Sequence, residues 1–248
     1  MAARFLPPAP SMSDRDQPLL RQTLRHMLAL HWQVSYDDLR KKIPGSLDPI
    51  EIDGHCWVSL IASEVSDVEL TSLLPLPSIP TFLQIELRTP VRGPQDLMGV
   101  RHLALDVSSA TLAGAMRTMM GIEASHAEIT FTSDGAEEPR VLLSGRRDTT
   151  DPVSCTIAAV ASGVVESIAP GTLEHQLLSP ARAFGGSLGS LQQIAATMPD
   201  LRVSRARVEQ LDERWLWAAG LKRSTDQPLA HYAKNVRAEL SAPRPIRE

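Results

Sequence analysis

The sequence predicts an α+β protein in which one domain is built on a large, strongly bent antiparallel β-sheet, barrel-like, with a few short helices at its rims. Three observations lead there. Stretches that alternate apolar and polar residues recur along nearly the whole chain, and strand signals far outnumber helical ones. The helix signals that exist are short, and caps bound the clearest of them. No internal repeat, low-complexity linker or shift in composition divides the 248 residues. Residues 1–20 read as an extended or disordered arm, 21–241 as the single domain, and 242–248 as a tail, because both ends are proline-bearing and polar.

The elements follow in order. The run "MLALHWQV" is a strand that passes into "YDDLRKKI", a helix of one or two turns. Ser35 caps it, Asp37 and Asp38 stand at its positive end, and Lys41 and Lys42 at its negative end. Asp53-Gly54 marks a tight turn before the strand "GHCWVSLIASEV". "LTSLLPLPSIP", with its prolines, is a loop. "TFLQIELRTPV" alternates strongly, placing Leu83, Ile85, Leu87 and Thr89 on one face and Gln84, Glu86 and Arg88 on the other. In "MGVRHLALDVSS" the same rule groups Val100, His102, Ala104 and Asp106 against Arg101, Leu103, Leu105 and Val107. "SATLAGAMRTMMG" is a helix with a Ser109 or Thr111 start and a Gly121 stop. "ASHAEITFTS" and "RVLLSGRRD" form a hairpin across "DGAEEP". Four later runs, from "CTIAAVASGVV" to "LAHYAKNVRAEL", complete the strands; "GTLEHQLL" and "DERWLWAAGL" are short helices, and "GGSLGS" reads as a hairpin turn.

Composition excludes several classes. A net charge of −4 from 25 basic and 29 acidic residues leaves no electrostatic footprint for nucleic acid. The longest apolar run is interrupted by Ser162 and Glu166 and falls short of the ~20 residues of a membrane helix. Prolines break the N-terminal stretch where a signal peptide needs an apolar run. The expectation is a cytoplasmic protein without a membrane partner. Cys56 and Cys155 lie in apolar runs without metal spacing and read as buried thiols. His55 and Cys56, being neighbours on a strand, point to opposite faces and cannot act as a base–nucleophile pair.

No HExxH, phosphate-loop, GxSxG or SxxK motif occurs, so no cofactor is implied. The histidines have no metal-ligand spacing, and no metal is expected. Met116, Met119 and Met120 on one helix read as core filler. What remains is the polar face of Gln84, Glu86 and Arg88. By itself it fits either an ordinary solvated strand face or the polar floor of a binding cavity.

The order of motifs then becomes informative. "LHWQVSYDDLRKKIPGSLDPIEIDGHCWVSLIASEV", "LPLPSIPTFLQIELRTPVRG", "MGIEASHAEITF", "GTLEHQLL" and "DERWLWAAGL" together resemble the uncharacterised bacterial YqjF-like family, which looks like a member of the acetoacetate-decarboxylase-like superfamily. The resemblance spans about residues 21–241. It implies that the short helix after the first strand closes one end of a barrel- or cone-like sheet with an internal cavity. In the decarboxylases a lysine in the segment after the helix forms a Schiff base. Here that segment is "MGIEASH", and the nucleophile position falls on Ala124 and the following lysine on Ser125. The lysines present, Lys41, Lys42, Lys222 and Lys234, lie elsewhere. A Schiff base needs a desolvated amine, so imine chemistry is not expected.

The same resemblance turns the polar face inward. It aligns Arg25 with the decarboxylases' N-terminal arginine and Gln84 with their cavity glutamate, and it puts Ala124 and His126 on the cavity side. Glu86 and His126 are thus the candidate catalytic residues, and Arg25, Gln84, Arg88 and Ala124 the candidate substrate-binding ones. A carboxylate in such a pocket can be tuned towards neutral pH for proton transfer. The function expected is a non-Schiff-base lyase, isomerase or cyclase acting on a small oxygenated metabolite such as a keto acid, enol or polyketide-like compound. The alternatives are a non-catalytic binding protein using the same cavity, and a pocket whose charges merely satisfy one another. The partner expected is a small anionic or carbonyl-containing molecule, and a homo-oligomer is compatible with this reading.

Overall fold

The computed structural model of the chain describes residues 18–71, 78–147, 152–186 and 190–246. Its strands are β1 (Pro18–Val34), β2 (Asp48–Pro49), β3 (Glu51–Ile52), β4 (His55–Leu70), β5 (Phe82–Arg92), β6 (Met98–Val107), β7 (Ala124–His126), β8 (Glu128–Ser133), β9 (Arg140–Arg147), β10 (Val153–Ser167), β11 (Arg182–Gly185), β12 (Gln192–Thr197), β13 (Arg202–Glu213), β14 (Leu229–Ser241) and β15 (Arg244–Pro245). Four short α-helices accompany them among the described residues: α1 (Tyr36–Arg40), α2 (Ala110–Met120), α3 (Leu173–Leu178) and α4 (Trp215–Ala218). The α+β class with a barrel and rim helices is therefore what the chain forms. Strand β1 begins at Pro18, inside the stretch read as an arm, and β15 lies inside the stretch read as a tail.

The local signals act as the sequence suggests. The Ser35 hydroxyl accepts from the Asp38 amide to open α1. The Ser109 hydroxyl accepts from the Leu112 amide to open α2, which ends at Gly121 in the left-handed conformation, φ 62°. Asp53 and Gly54 both take positive φ, 53° and 79°, the geometry that a two-residue hairpin needs between β3 and β4. β8 and β9 pair antiparallel as a hairpin. β11 and β12 pair antiparallel as well, which fits a hairpin at "GGSLGS", although Ser187–Gly189 lie outside the described residues, as do 72–77 of the proline-rich loop.

Seven strands close on themselves in the order β14, β1, β4, β5, β6, β11, β12 and back to β14. The closing ladder is short, Ala196 opposite Leu240 and Thr197 opposite Glu239. Closure removes the open sheet edges on either side of the ring. Two pairings, β6 with β11 and β6 with β7, are parallel, so the sheet is not purely antiparallel. β13, β10, β9 and β8 continue from β14 and fold back over the outside of the barrel.

The two largest apolar clusters among the described residues lie on opposite faces of the same strands. Outside the ring, Leu28, Leu30 and Trp32 of β1, Leu60 of β4, and Ile85 and Leu87 of β5 pack against Ile129, Val141, Leu143 and Ile157. Inside it, Leu24, Met27, Ile61, Leu105 and Ile194 gather with Leu178 of α3. Cys56 and Cys155 are both buried free thiols in the outer cluster, and burial pushes them up to about 11 and about 12. Neither is a thiolate at neutral pH.

Candidate functional site

Strand β5 sets the site. Its odd-numbered Ile85 and Leu87 are fully buried in the outer core. Its even-numbered Gln84, Glu86 and Arg88 line a cavity of about 220 Å³ inside the barrel. The alternation read from the sequence thus has one apolar face in a core and one polar face in a cavity, with neither in bulk solvent.

The polar members are tied together. Arg88 Nη1 donates to Glu86 Oε1 at 3.5 Å, and its Nη2 donates to the carbonyls of Leu177 (2.9 Å) and Leu178 (3.3 Å) at the C-terminal end of α3. A cation suits that end of a helix. Gln84 Nε2 donates to Ser63 Oγ at 3.3 Å. On the neighbouring strand, His102 Nε2 lies 2.9 Å from Glu86 Oε2. Burial pushes the Glu86 carboxyl up, but the Arg88 charge together with the hydrogen bond and charge of His102 outweigh it, and the group is held below the usual carboxylate range. Glu86 is therefore an anion and not the near-neutral acid expected from its pocket. An anionic carboxylate can only accept, so His102 Nε2 carries the proton. His102 Nδ1 is buried with no hydrogen-bond partner, as is Arg88 Nε.

His102 reaches this position through a β-bulge. Leu87 faces Ala104 while the adjacent Arg88 faces His102, so Leu103 is an extra residue in β6. The bulge reverses side-chain parity along β6, bringing both Leu105 and His102 to the inner wall while Ala104 and Leu103 pack outward against the outer core. Strict alternation had grouped His102 with Ala104 and Asp106. The only signal in the sequence was a histidine inside an otherwise strand-like run.

The other candidates part company. Arg25 does not line this cavity. Its β1 position is opposite Glu64, and its side chain is half-exposed, 3.1 Å from Asp67 and 3.9 Å from Glu64. A bulge at His26, φ 53°, follows it. His126 is exposed at the end of the three-residue β7, just before the chain leaves for β8. It joins neither Glu86 nor Arg88. Ala124 is buried in the inner cluster beside Leu105 and Ala113, but it is not among the cavity-lining residues. Arg182 of β11 does line the cavity, with its Nη1 donating to Gln193 Oε1 at 2.8 Å. None of the four lysines does.

The rest of the wall is apolar. Leu20, Leu24, Leu70, Phe82 and Leu240 come from the strands, and Leu112, Met116, Met119 and Met120 from one face of α2. Met119 is 60 % exposed, which puts α2 at the boundary between cavity and solvent. Among the described residues no group of three or more His, Cys, Asp or Glu side chains is placed to hold a metal. No helix among them is long and apolar enough to cross a membrane.

Comparison with known proteins agrees with this fold. A sequence profile of DUF2071, described as an uncharacterized conserved protein, matches residues 21–237. The uncharacterized protein YqjF of Bacillus subtilis (strain 168) is 24 % identical over 117 residues, 47 % of this chain and 48 % of that one, so the match spans about half of the relative's length. Among solved structures, acetoacetate decarboxylase from Legionella pneumophila superposes with a TM-score of 0.63 at 10 % identity, covering 97 % of this chain and 92 % of that one. An acetoacetate-decarboxylase-like enzyme from Sphingomonas wittichii RW1 gives 0.62 at 13 % identity, covering 100 % and 99 %. The enduracididine biosynthesis enzyme MppR complexed with pyruvate gives 0.61 at 11 % identity, covering 92 % and 91 %. At such identities the likeness is one of fold.

Proposed function

The chain belongs to the DUF2071 family of uncharacterized conserved proteins, and from that premise we propose that it is a lysine-independent enzyme on an acetoacetate-decarboxylase-like barrel. It acts as a lyase, isomerase or cyclase that moves a proton on a small oxygenated metabolite such as a keto acid, an enol or a polyketide-like compound. The observation that carries this reading is the Glu86–His102 contact at 2.9 Å on the wall of an internal cavity. Glu86 accepts from Nε2–H and orients the imidazole, and in the neutral ring this tautomer leaves the lone pair on Nδ1. That nitrogen takes a proton from the carbon next to a carbonyl, the C–H electron pair becomes the C=C bond, and the carbonyl π pair moves onto oxygen as an enolate. The proton returns from Nδ1 to the enolate or to the leaving fragment. Arg88 and Gln84, on the same strand face, meet the charge that develops on oxygen. A neighbour that binds pyruvate supports a keto acid as the kind of ligand. No lysine borders the cavity, which supports chemistry without an imine.

The mostly apolar wall and the engagement of both Arg88 Nη atoms by Glu86 and two carbonyls favour a second reading, a binding protein that uses the cavity without chemistry. One experiment separates the two. The protein is incubated with 2-oxobutanoate and longer 2-oxo acids in D2O, and loss of the C3 proton signal is followed by NMR. Exchange that depends on protein and is lost in His102→Asn supports the enzyme. Binding without exchange supports the second reading and overturns the first.

A further inference from the structure

The cavity is lopsided along the barrel axis, and we infer that its ligand is amphipathic: a carbonyl- or carboxylate-bearing head held at the Glu86–Arg88–His102 end and an unbranched aliphatic tail of about eight carbons lying towards Phe82 and Leu24. This rests on the site proposed above and adds the class of molecule it takes.

Strand register supplies the ruler. Along β5 the inward residues run Arg88, Glu86, Gln84, Phe82, from charged to neutral polar to apolar. From Glu86 to Phe82 is four residues, about 13 Å of strand and the extended length of a tail of roughly eight to ten carbons. The neighbouring strands repeat the gradient. At the head end Arg88 faces His102 across the ladder, and Val100, two residues before His102 in β6, is the pairing partner of Ala183, next to Arg182. The second lining arginine thus neighbours the head end on its β6 side, while on its β12 side it pairs with Ala195, next to Ala196, which faces Leu240. Beyond the other end, Phe82 faces Val65, Val65 faces Leu24, and Leu24 faces Val236. Further along, Leu20 faces both Leu70 and Leu240. Among the described residues, the lining positions of β1, β4 and β14 carry no charge and one polar side chain, Gln22.

Helix α2 lines the same cavity from one side. Leu112, Met116, Met119 and Met120 fall at i, i+4, i+7 and i+8, one helical face. Three methionines on that face suit an aliphatic chain of variable shape, since an unbranched thioether side chain adapts to what it packs against. A compact polar substrate would leave this surface empty. A tail fills it.

The test is isothermal titration of the full chain with the 2-oxo acids from pyruvate to 2-oxododecanoate. Affinity should rise about fourfold per added carbon, level off near eight to ten carbons and then fall. Met116→Phe and, separately, Ala238→Leu shorten the apolar half from two different elements, and each should move the optimum to a shorter homologue. Affinity that is flat with length, or greatest for pyruvate, overturns the inference. An optimum that stays put in both variants, each shown folded by circular dichroism, overturns the placement of the tail and the inference with it. Length-dependent binding without C3 exchange leaves this inference standing and removes the catalytic reading. Exchange on short homologues with flat affinity does the reverse.

Discussion

His102 and Glu86 meet at 2.9 Å although strict alternation along β6 would turn the histidine to the other side of the sheet. The extra residue, Leu103, creates the pair. Its consequence is testable by isosteric change. Glu86→Gln keeps the shape, removes the negative charge and removes the reason for the proton to sit on Nε2. C3 exchange on a 2-oxo acid should fall by roughly a hundredfold or more, while the thermal midpoint moves far less than in a core truncation. An unchanged exchange rate would mean that Glu86 does not orient the base.

Lysine independence has a direct chemical readout. Borohydride reduction in the presence of pyruvate or 2-oxobutanoate should leave the mass of the protein unchanged, since Lys41, Lys42, Lys222 and Lys234 all lie away from the cavity. A stable adduct mapped by peptide mass to any of them would overturn the argument.

Stability should weaken in mild acid for a reason located in β1 and β14. His31 and His231 are both buried, with ring centres 5.4 Å apart. His31 Nδ1 contacts Ser59 Oγ at 2.7 Å, and Glu174 approaches His231 at 4.0 Å. Burial first, then for His31 the charge of its neighbour His231, holds His31 well below the ordinary imidazole value; burial, with Arg205, lowers His231 to about 4. The unfolded chain takes up these protons near pH 6.5 while the folded chain refuses them. The stability is therefore complete above about pH 6.5 and is lost as pH falls towards 4, by about 3 kcal/mol for His231 alone. Urea unfolding at stepped pH should show that slope in the native chain and a flatter one in His231→Gln.

The outer core holds a buried charge of its own. Asp106 is fully buried, accepts from Trp215 Nε1 and lies 3.4 Å from Arg147. Burial raises its pKa against the pull of Arg147 and Trp215. Asp106→Ala strands both partners and should cost about 3–5 kcal/mol in urea unfolding. A cost under ~1 kcal/mol would show that water takes the carboxylate's place.

Gly99 should tolerate no side chain. A Cβ there would sit 2.7 Å from the Arg182 carbonyl oxygen and against Arg182 Cγ, and the backbone atom cannot swing aside. Gly99→Ala should destabilise by about 1–3 kcal/mol and weaken 2-oxo acid binding by displacing the β11 wall of the cavity. Unaltered stability and binding would show that β11 shifts freely.

The local parts of this architecture were legible because short-range chemistry fixes them: the Ser35 and Ser109 caps, the Gly121 stop, the Asp53-Gly54 turn, and the two faces of β5. Alternation grouped Gln84, Glu86 and Arg88 on one face for that reason, and the family likeness turned that face inward. Arg25 and His126 were assigned to the cavity by family likeness, and the structure leaves them outside because the β1 register gives Arg25 to Glu64 and Asp67 and because β7 ends at His126. His102 was missed because a bulge is a property of two strands together. Nothing in "GVRHLALDV" says that its partner will oppose Arg88 to residue 102 instead of 103.

The two faces of β5 also separate two kinds of inheritance. Positions 85 and 87 answer to the packing of the outer sheet, and positions 84, 86 and 88 to whatever the barrel encloses. A random library confined to the even positions should yield mostly folded proteins with altered ligand preferences, and one confined to the odd positions mostly insoluble ones. A wall built this way lets a lineage change what it handles without first relearning how to fold.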